Sequence, residues 1–138
     1  PGMIVGHILR SPHAHARIVS IDTSKARALK GVLAVITAAD FPDVPPGTIY
    51  PFGETGSDAW VSAVTVIARD RVLWRGHPVA AVAATDPYIA AQALELIDVT
   101  YDPLPAVMDA SLRIEGQLDH PLPSRYVNAT RATGDRHP

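Results

Sequence analysis

Two stretches decide the fold: Leu9–Asp40, LRSPHAHARIVSIDTSKARALKGVLAVITAAD, and Arg75–Val99, RGHPVAAVAATDPYIAAQALELIDV. Each reads as a strand entering a short helix and leaving as another strand. In the first, Ala16, Ile18 and Val19 or Ile21 point a strand over Ala14–Ile21 at a core. Asp22-Thr23-Ser24 offers N-cap oxygens for a helix running to Leu29. Lys30 then suits the negative end of the helix dipole, and Gly31 the left-handed C′ position. Val32–Thr37 is an apolar, β-branched strand. In the second stretch, Val79–Ala84 is a continuous run of small apolar residues, the pattern of a strand covered on both faces. Asp86-Pro87 is an N-cap followed by proline at the first helical position. Ile89, Ala93, Leu96 and Ile97 line one helical face, and alternation over Ile97–Tyr101 marks the next strand.

Outward from these stretches the pattern weakens. Met3–Leu9 suits a strand, and Ser11-Pro12 a bend. Phe41–Asp58 holds four prolines and three glycines without an apolar period, which predicts an irregular loop over 41–60. Its length, stiffness and content of Phe41, Ile49, Tyr50, Phe52 and Trp60 suggest a loop that faces a partner domain or subunit. Val61–Ala68 and Val72–Trp74 read as a hairpin about Arg69-Asp70-Arg71. Gln117–Ser124 is irregular and the final residues lack a period, as an extended tail would. Helices and hairpins interleave, so the expected class is α+β, a mixed sheet with hairpins and two short helices.

Composition narrows the function classes. A chain of 138 residues suits one domain and a tail. Cysteine is absent, which removes disulfides, thiolate metal sites and Fe–S ligands. A net charge of -2 with scattered Lys and Arg argues against nucleic acid as a partner. No apolar run reaches the ~18 residues of a membrane span, and no signal-peptide pattern opens the chain, so a cytoplasmic location is expected. Pro1-Gly2-Met3 does not resemble a native start, which suggests an excised fragment.

The candidate chemistry is sparse. His13 and His15 would share a strand face and could join His77 around a metal, although no Asp, Glu or Cys accompanies them. His77, in a Gly-His-Pro turn, has no neighbouring hydroxyl or carboxylate to orient it as a base. Ser11 and Ser24 lie outside any nucleophile elbow, and Ser24 reads as a cap. Asp98 and Asp102 would share a strand face about 13 Å apart, too far for paired acid and base work. Gly53-x-x-Gly56 lacks the lysine and third glycine of a nucleotide loop. Trp60 and Trp74 read as packing anchors. From these residues alone, the expected catalytic, cofactor-binding and metal-binding set is empty.

Several short motifs in order add a resemblance: Arg10-Ser11-Pro12-His13-Ala14, Asp22, Ala26, Gly31-Val32, Thr37-Ala38 with Asp40, Gly76-x-Pro78-Val79-Ala80, Ala91 and Ala93, and Val99-x-Tyr101-x-x-Leu104-Pro105. Over roughly residues 3–112, poorly at 41–63, the chain resembles the a/b hammerhead domain of the molybdenum hydroxylases. That is the first domain of the molybdopterin-binding large subunit in the xanthine dehydrogenase, aldehyde oxidase and carbon monoxide dehydrogenase family. The family often has Gln or Asp at the position of His77 and Tyr-Val at Trp74-Arg75, which leaves the subfamily open. The resemblance implies a hammerhead domain over 1–115 and a tail over 116–138 leading to a molybdopterin-binding domain. It implies a non-catalytic structural and assembly role. The parent enzyme would oxidise an aldehyde, a purine-like heterocycle or carbon monoxide with water as oxygen source. It would use a molybdopterin cofactor, with 2Fe–2S clusters and often FAD on other domains or subunits as partners. The alternative is a self-standing hammerhead or barrel-sandwich carrier module. A carrier needs a lysine at a hairpin tip, and the only lysines, Lys25 and Lys30, fall in the expected first helix.

Overall fold

The computed structural model describes residues 2–52 and 55–106. Residues Pro1–Leu104 cluster apart from Pro105–Pro138, and the account below concerns the first group. The expected tail over 116–138 and the irregular Gln117–Ser124 stretch lie outside the described residues.

The elements run β1 (Val5–Arg10), β2 (Ala16–Asp22), α1 (Ser24–Ala28), β3 (Val32–Thr37), a 3-10 turn (Ala38–Asp40), β4 (Ile49–Phe52), β5 (Thr55–Asp58), α2 (Ala59–Val66), β6 (Arg71–Val72), β7 (Pro78–Ala84), α3 (Pro87–Glu95) and β8 (Asp98–Pro103). They build two three-stranded sheets, β1-β7-β3 and β6-β2-β8, and a β4-β5 hairpin. The expected α+β class is met. The detail differs: every described pairing is antiparallel, and the described residues hold three α-helices where two were expected.

Local chemistry explains most elements. Asp86 caps α3 through a bond from the Tyr88 amide at 2.8 Å, and Pro87 occupies the first turn. Ala90 and Ala93 are buried on α3, small enough to let the helix lie close on the sheet. Helix α1 starts where the Ser24 amide donates to Asp22 Oδ1 at 2.9 Å, so Asp22 supplies the cap oxygen and Thr23 makes no side-chain cap. Thr37 and Asp40 close a reciprocal capping box around the 3-10 turn. Gly31 has φ +96°, but it does not end the helix as a C′ residue. Helix α1 stops at Ala28, and the Val32 amide donates to the Leu29 carbonyl at 3.1 Å. Gly31 therefore occupies the third position of a turn that needs positive φ. Lys30 shares that turn and lies outside α1, at a helix–strand junction and not at a hairpin tip.

The largest departure is 41–68. The expected loop over 41–60 contains the β4-β5 hairpin, and the expected strand over Val61–Ala68 is mostly α2. Asp58 wins this competition. Its Oδ1 accepts from the Trp60 and Val61 amides at 2.9 and 3.2 Å, satisfying donors that a helix start leaves orphaned. Ser62 and Thr65 hydroxyls donate back to the Asp58 and Val61 carbonyls at 3.2 and 2.8 Å, so these polar side chains fit a helix here.

Two apolar clusters hold the sheets. Ala26, Val35, Ala80, Val82, Ala93 and Ile97 form one, between the β1-β7-β3 sheet, α1 and α3. Ala16, Ala68, Val72 and Val79 form the other, and Ile21 and Val99 pack against both. Central strand β7 is covered on both faces only at its start, where the consecutive Val79 and Ala80 are buried in different clusters; further along, Val82 and Ala84 are buried but Ala81 and Ala83 are only half-buried. Ile97 sits between α3 and β8, belonging to neither, and is buried.

Candidate functional site

The two motif-bearing segments meet in space. Pro12 bends the chain after β1, and the Ser11 hydroxyl accepts from the His13 amide at 3.0 Å, holding that bend. The Ser11 backbone is then spent on the other segment: its amide donates to the His77 carbonyl and its carbonyl accepts from the Gly76 amide, both at 2.9 Å. Arg10 Nη1 donates to the Gly76 carbonyl, also at 2.9 Å. Gly76 takes φ +89°, and the His77 amide closes its turn on the Trp74 carbonyl at 3.1 Å. Residues 66 apart in sequence, Arg10 and Gly76, are thereby clasped.

His77 is the centre of this clasp and is fully buried. Its Nδ1 accepts from the Leu73 amide at 3.2 Å, which leaves the proton on Nε2 in the neutral ring. Trp74 stacks on it, with centroids 3.9 Å apart and planes 26° from parallel. Burial holds the imidazole below its ordinary pKa, and the backbone carbonyls of Thr65 and Val64 pull the other way. Tyr101 from β8 flanks the bend, meeting His13 edge-on at 5.0 Å. Burial raises its phenol, opposed by the Ser11 hydroxyl.

The other sequence candidates are placed apart. His13 and His15 lie in the bend before β2, not on a strand, so the shared-face expectation fails. The described residues contain no group of three or more His, Cys, Asp or Glu able to hold a metal. His77 is fully buried among the described residues. Ser24 donates its amide to Asp22, whose carboxyl is lowered by these Ser24 bonds. Asp98 and Asp102 are exposed on β8, opposite Asp22 and Arg17 of β2. Gly56 is an exposed residue of β5, while Gly53 lies outside the described residues. Trp60 is half-buried on α2, and Trp74 stays 40% exposed on the side away from His77.

Sequence reasoning missed the cap at Asp58 and the brace at Arg69. Arg69 Nη2 donates to the Phe41 and Pro42 carbonyls at 3.1 and 3.3 Å, and Nε lies 3.7 Å from Asp43 Oδ1. An aspartate directly before an apolar run was the available signal for the first; nothing local signals the second. Phe41, Ile49 and Tyr50 are held at the surface, not folded into the domain's own core. No described helix is long and apolar enough to cross a membrane.

Comparison with known proteins gives concordant matches. A family model described as the a/b hammerhead domain of aldehyde oxidase and xanthine dehydrogenase matches residues 1–105. The carbon monoxide dehydrogenase large chain of Afipia carboxidovorans is 48% identical over 109 residues, 79% of this chain and 13% of that relative. A probable xanthine dehydrogenase subunit of Bacillus subtilis is 44% identical over 123 residues, 87% of this chain and 15% of the relative. Among solved structures, reconstituted CO dehydrogenase from Oligotropha carboxidovorans superposes with TM-score 0.67 at 42% identity, covering 94% of this chain and 15% of that one. The chain thus spans only about one seventh of the length of such relatives.

Proposed function

The chain belongs to the aldehyde oxidase and xanthine dehydrogenase a/b hammerhead family, and from that premise we propose that it is a structural and assembly domain of a molybdenum hydroxylase large subunit. The observation that carries this reading is the clasp. The motifs Arg10–His13 and Gly76–Pro78 spend their hydrogen bonds on each other's backbone. Residues engaged this way fix architecture, which supports a structural role.

The whole enzyme would oxidise an aldehyde, a heterocycle of purine type or carbon monoxide, taking oxygen from water. Its molybdopterin cofactor would supply the two-electron chemistry, with 2Fe–2S and flavin partners taking up the electrons. The described residues of this chain do not fit that cofactor. Their buried polar side chains include Ser11 and Thr37, hydrogen-bonded within the domain, and His77, bonded at Nδ1 but not at Nε2, and they offer no convergent donor set. No redox step is therefore assigned to them. Their work is to hold a rigid body against the neighbouring domains, with the Phe41–Tyr50 surface turned towards one of them.

Metal analysis and dye reduction test this. The isolated 138-residue chain should unfold cooperatively, carry no stoichiometric molybdenum and reduce no dye with an aldehyde, a purine or carbon monoxide. The polypeptide from the uninterrupted reading frame, assembled with its partners, should bind molybdenum and reduce the dye. Stoichiometric molybdenum in the isolated chain would overturn the reading.

A further inference from the structure

The two sheets treat their outer faces in opposite ways. On β6-β2-β8 the outward positions are Arg17, Ser20 and Asp22 of β2 with Asp98, Thr100 and Asp102 of β8, all exposed, and Val19 at the β2 bulge is the apolar exception at 61% exposed. That is a face built for water. On β1-β7-β3 the outward rows are Gly6–Ala83–Ala34 and Ile8–Ala81–Ile36, in register across all three strands. Ile8 is 47% exposed, Ile36 39% and, at the bulge beside them, Leu33 57%. These two rows contain no charged or hydrogen-bonding side chain. Arg10, at the end of β1, is tied back to Gly76.

We propose that this β1-β7-β3 face is the seat of an apolar layer, a helix or sheet, contributed by the remainder of the same longer polypeptide; the inference rests on the large-subunit reading above. Three observations select that occupant. Relatives run to about seven times the aligned length, so most of the polypeptide is available to cover it. The centre is flat, with Gly6, Ala34, Ala81 and Ala83 between larger Ile8 and Ile36, which admits a second layer at sheet-packing distance. The rows themselves also lack the Trp, Tyr or Arg anchors by which separately diffusing partners are recognised. A surface without such anchors suits a permanent neighbour held by covalent linkage at high effective concentration.

The absence of native cysteine in this chain allows a direct test. Ile36→Cys on the apolar face and Thr100→Cys on the polar face are each placed in the isolated chain and in the full reading-frame product. Maleimide labelling is read on the corresponding peptides by mass spectrometry. In the dilute isolated chain both thiols should label at similar rates. In the full polypeptide the Ile36→Cys thiol should slow by about tenfold or more, as burial requires an opening step, while Thr100→Cys is unchanged. Equal labelling of Ile36→Cys in both contexts overturns the docking proposal and leaves the large-subunit reading standing. Concentration-dependent protection in the isolated chain overturns it in favour of a second copy, and loss of Thr100→Cys labelling in the full chain overturns its selectivity. A reading frame that ends with this domain overturns both readings. Ile8→Glu supplies a second measurement: melting of the isolated chain should not change, whereas the full polypeptide should lose soluble yield.

Discussion

Replacing Gly31 separates two costs that usually arrive together. Its φ of +96° excludes ordinary side chains, and a Cβ built there would lie 2.6 Å from Ile89 Cδ1 and 3.1 Å from Thr85 Oγ1. Thr85 cannot easily retreat, because its amide and hydroxyl both donate to the Gly31 carbonyl, at 2.9 and 3.3 Å. Ile89 is half-buried, and its terminal methyl can swing. The backbone part of Gly31→Ala costs about 1–2 kcal/mol, and moving Ile89 about 1 kcal/mol, the low end for overpacking. Reduced freedom of the unfolded chain returns roughly 0.5 kcal/mol. The expected loss is about 2 kcal/mol, which in a domain of this size lowers Tm by roughly 10 °C. Gly76 is the control, since it has φ +89° with nothing within 4 Å of a built Cβ. Gly76→Ala should show the backbone cost alone, about 1 kcal/mol. Urea titration of both variants, and of Gly31→Ala combined with Ile89→Ala, gives the steric share as a coupling energy of about 1 kcal/mol. Equal losses at Gly31 and Gly76, or zero coupling to Ile89, would refute the close-packed turn.

Further outcomes follow from the same structure. His77 has a folded pKa below its ordinary 6.5, so the unfolded chain takes up a proton first as pH falls; the stabilisation is complete above the ordinary value and is lost as pH falls towards and through the lower folded one. His77→Asn, which keeps an acceptor for the Leu73 amide, should flatten the decline in Tm between about pH 7 and 5; an unchanged slope would mean the decline comes from other groups. Asp58→Ala should cost about 1 kcal/mol by loss of the α2 cap, with faster hydrogen exchange confined to the helix; uniform exchange would argue against a local cap. Ala80→Leu, at a fully buried position, should cost about 1–3 kcal/mol by overpacking, whereas Ala83→Leu on the outer face should stay within about 0.5 kcal/mol; calorimetry showing the reverse order would place the core on the wrong side of β7.

What was legible in the sequence was what local chemistry decides. Asp86-Pro87 marks a helix start wherever it falls, and Gly31 announces a positive φ whether the turn closes a helix or joins it to a strand. The 41–68 region was not legible, because its signals conflict. Val61, Val64, Thr65 and Val66 favour a strand by side-chain stiffness, yet a single carboxylate at Asp58 and two hydroxyl bonds make α2 a helix. The His13 and His15 pair failed for a related reason. A shared face presupposes a strand, and the Ser11 hydroxyl bond to the His13 amide keeps that segment bent. The clasp itself was invisible, since nothing in Arg10-Ser11-Pro12 points to a partner 66 residues away.

The misplacement of Ala81 and Ala83 carries a different lesson. The run Val79–Ala84 has the composition of a strand covered on both sides, but the described residues cover the second side only at Val79 and leave Ala81 and Ala83 half-buried. Strand composition reflects the surroundings in which the chain works, and β1 and β3 agree with β7 by placing Gly6, Ile8, Ala34 and Ile36 on the same open side. A solvent-facing antiparallel sheet would alternate with polar residues, as β2 and β8 do in the same molecule. The Ile36→Cys experiment asks whether a longer polypeptide supplies the second layer proposed for this face.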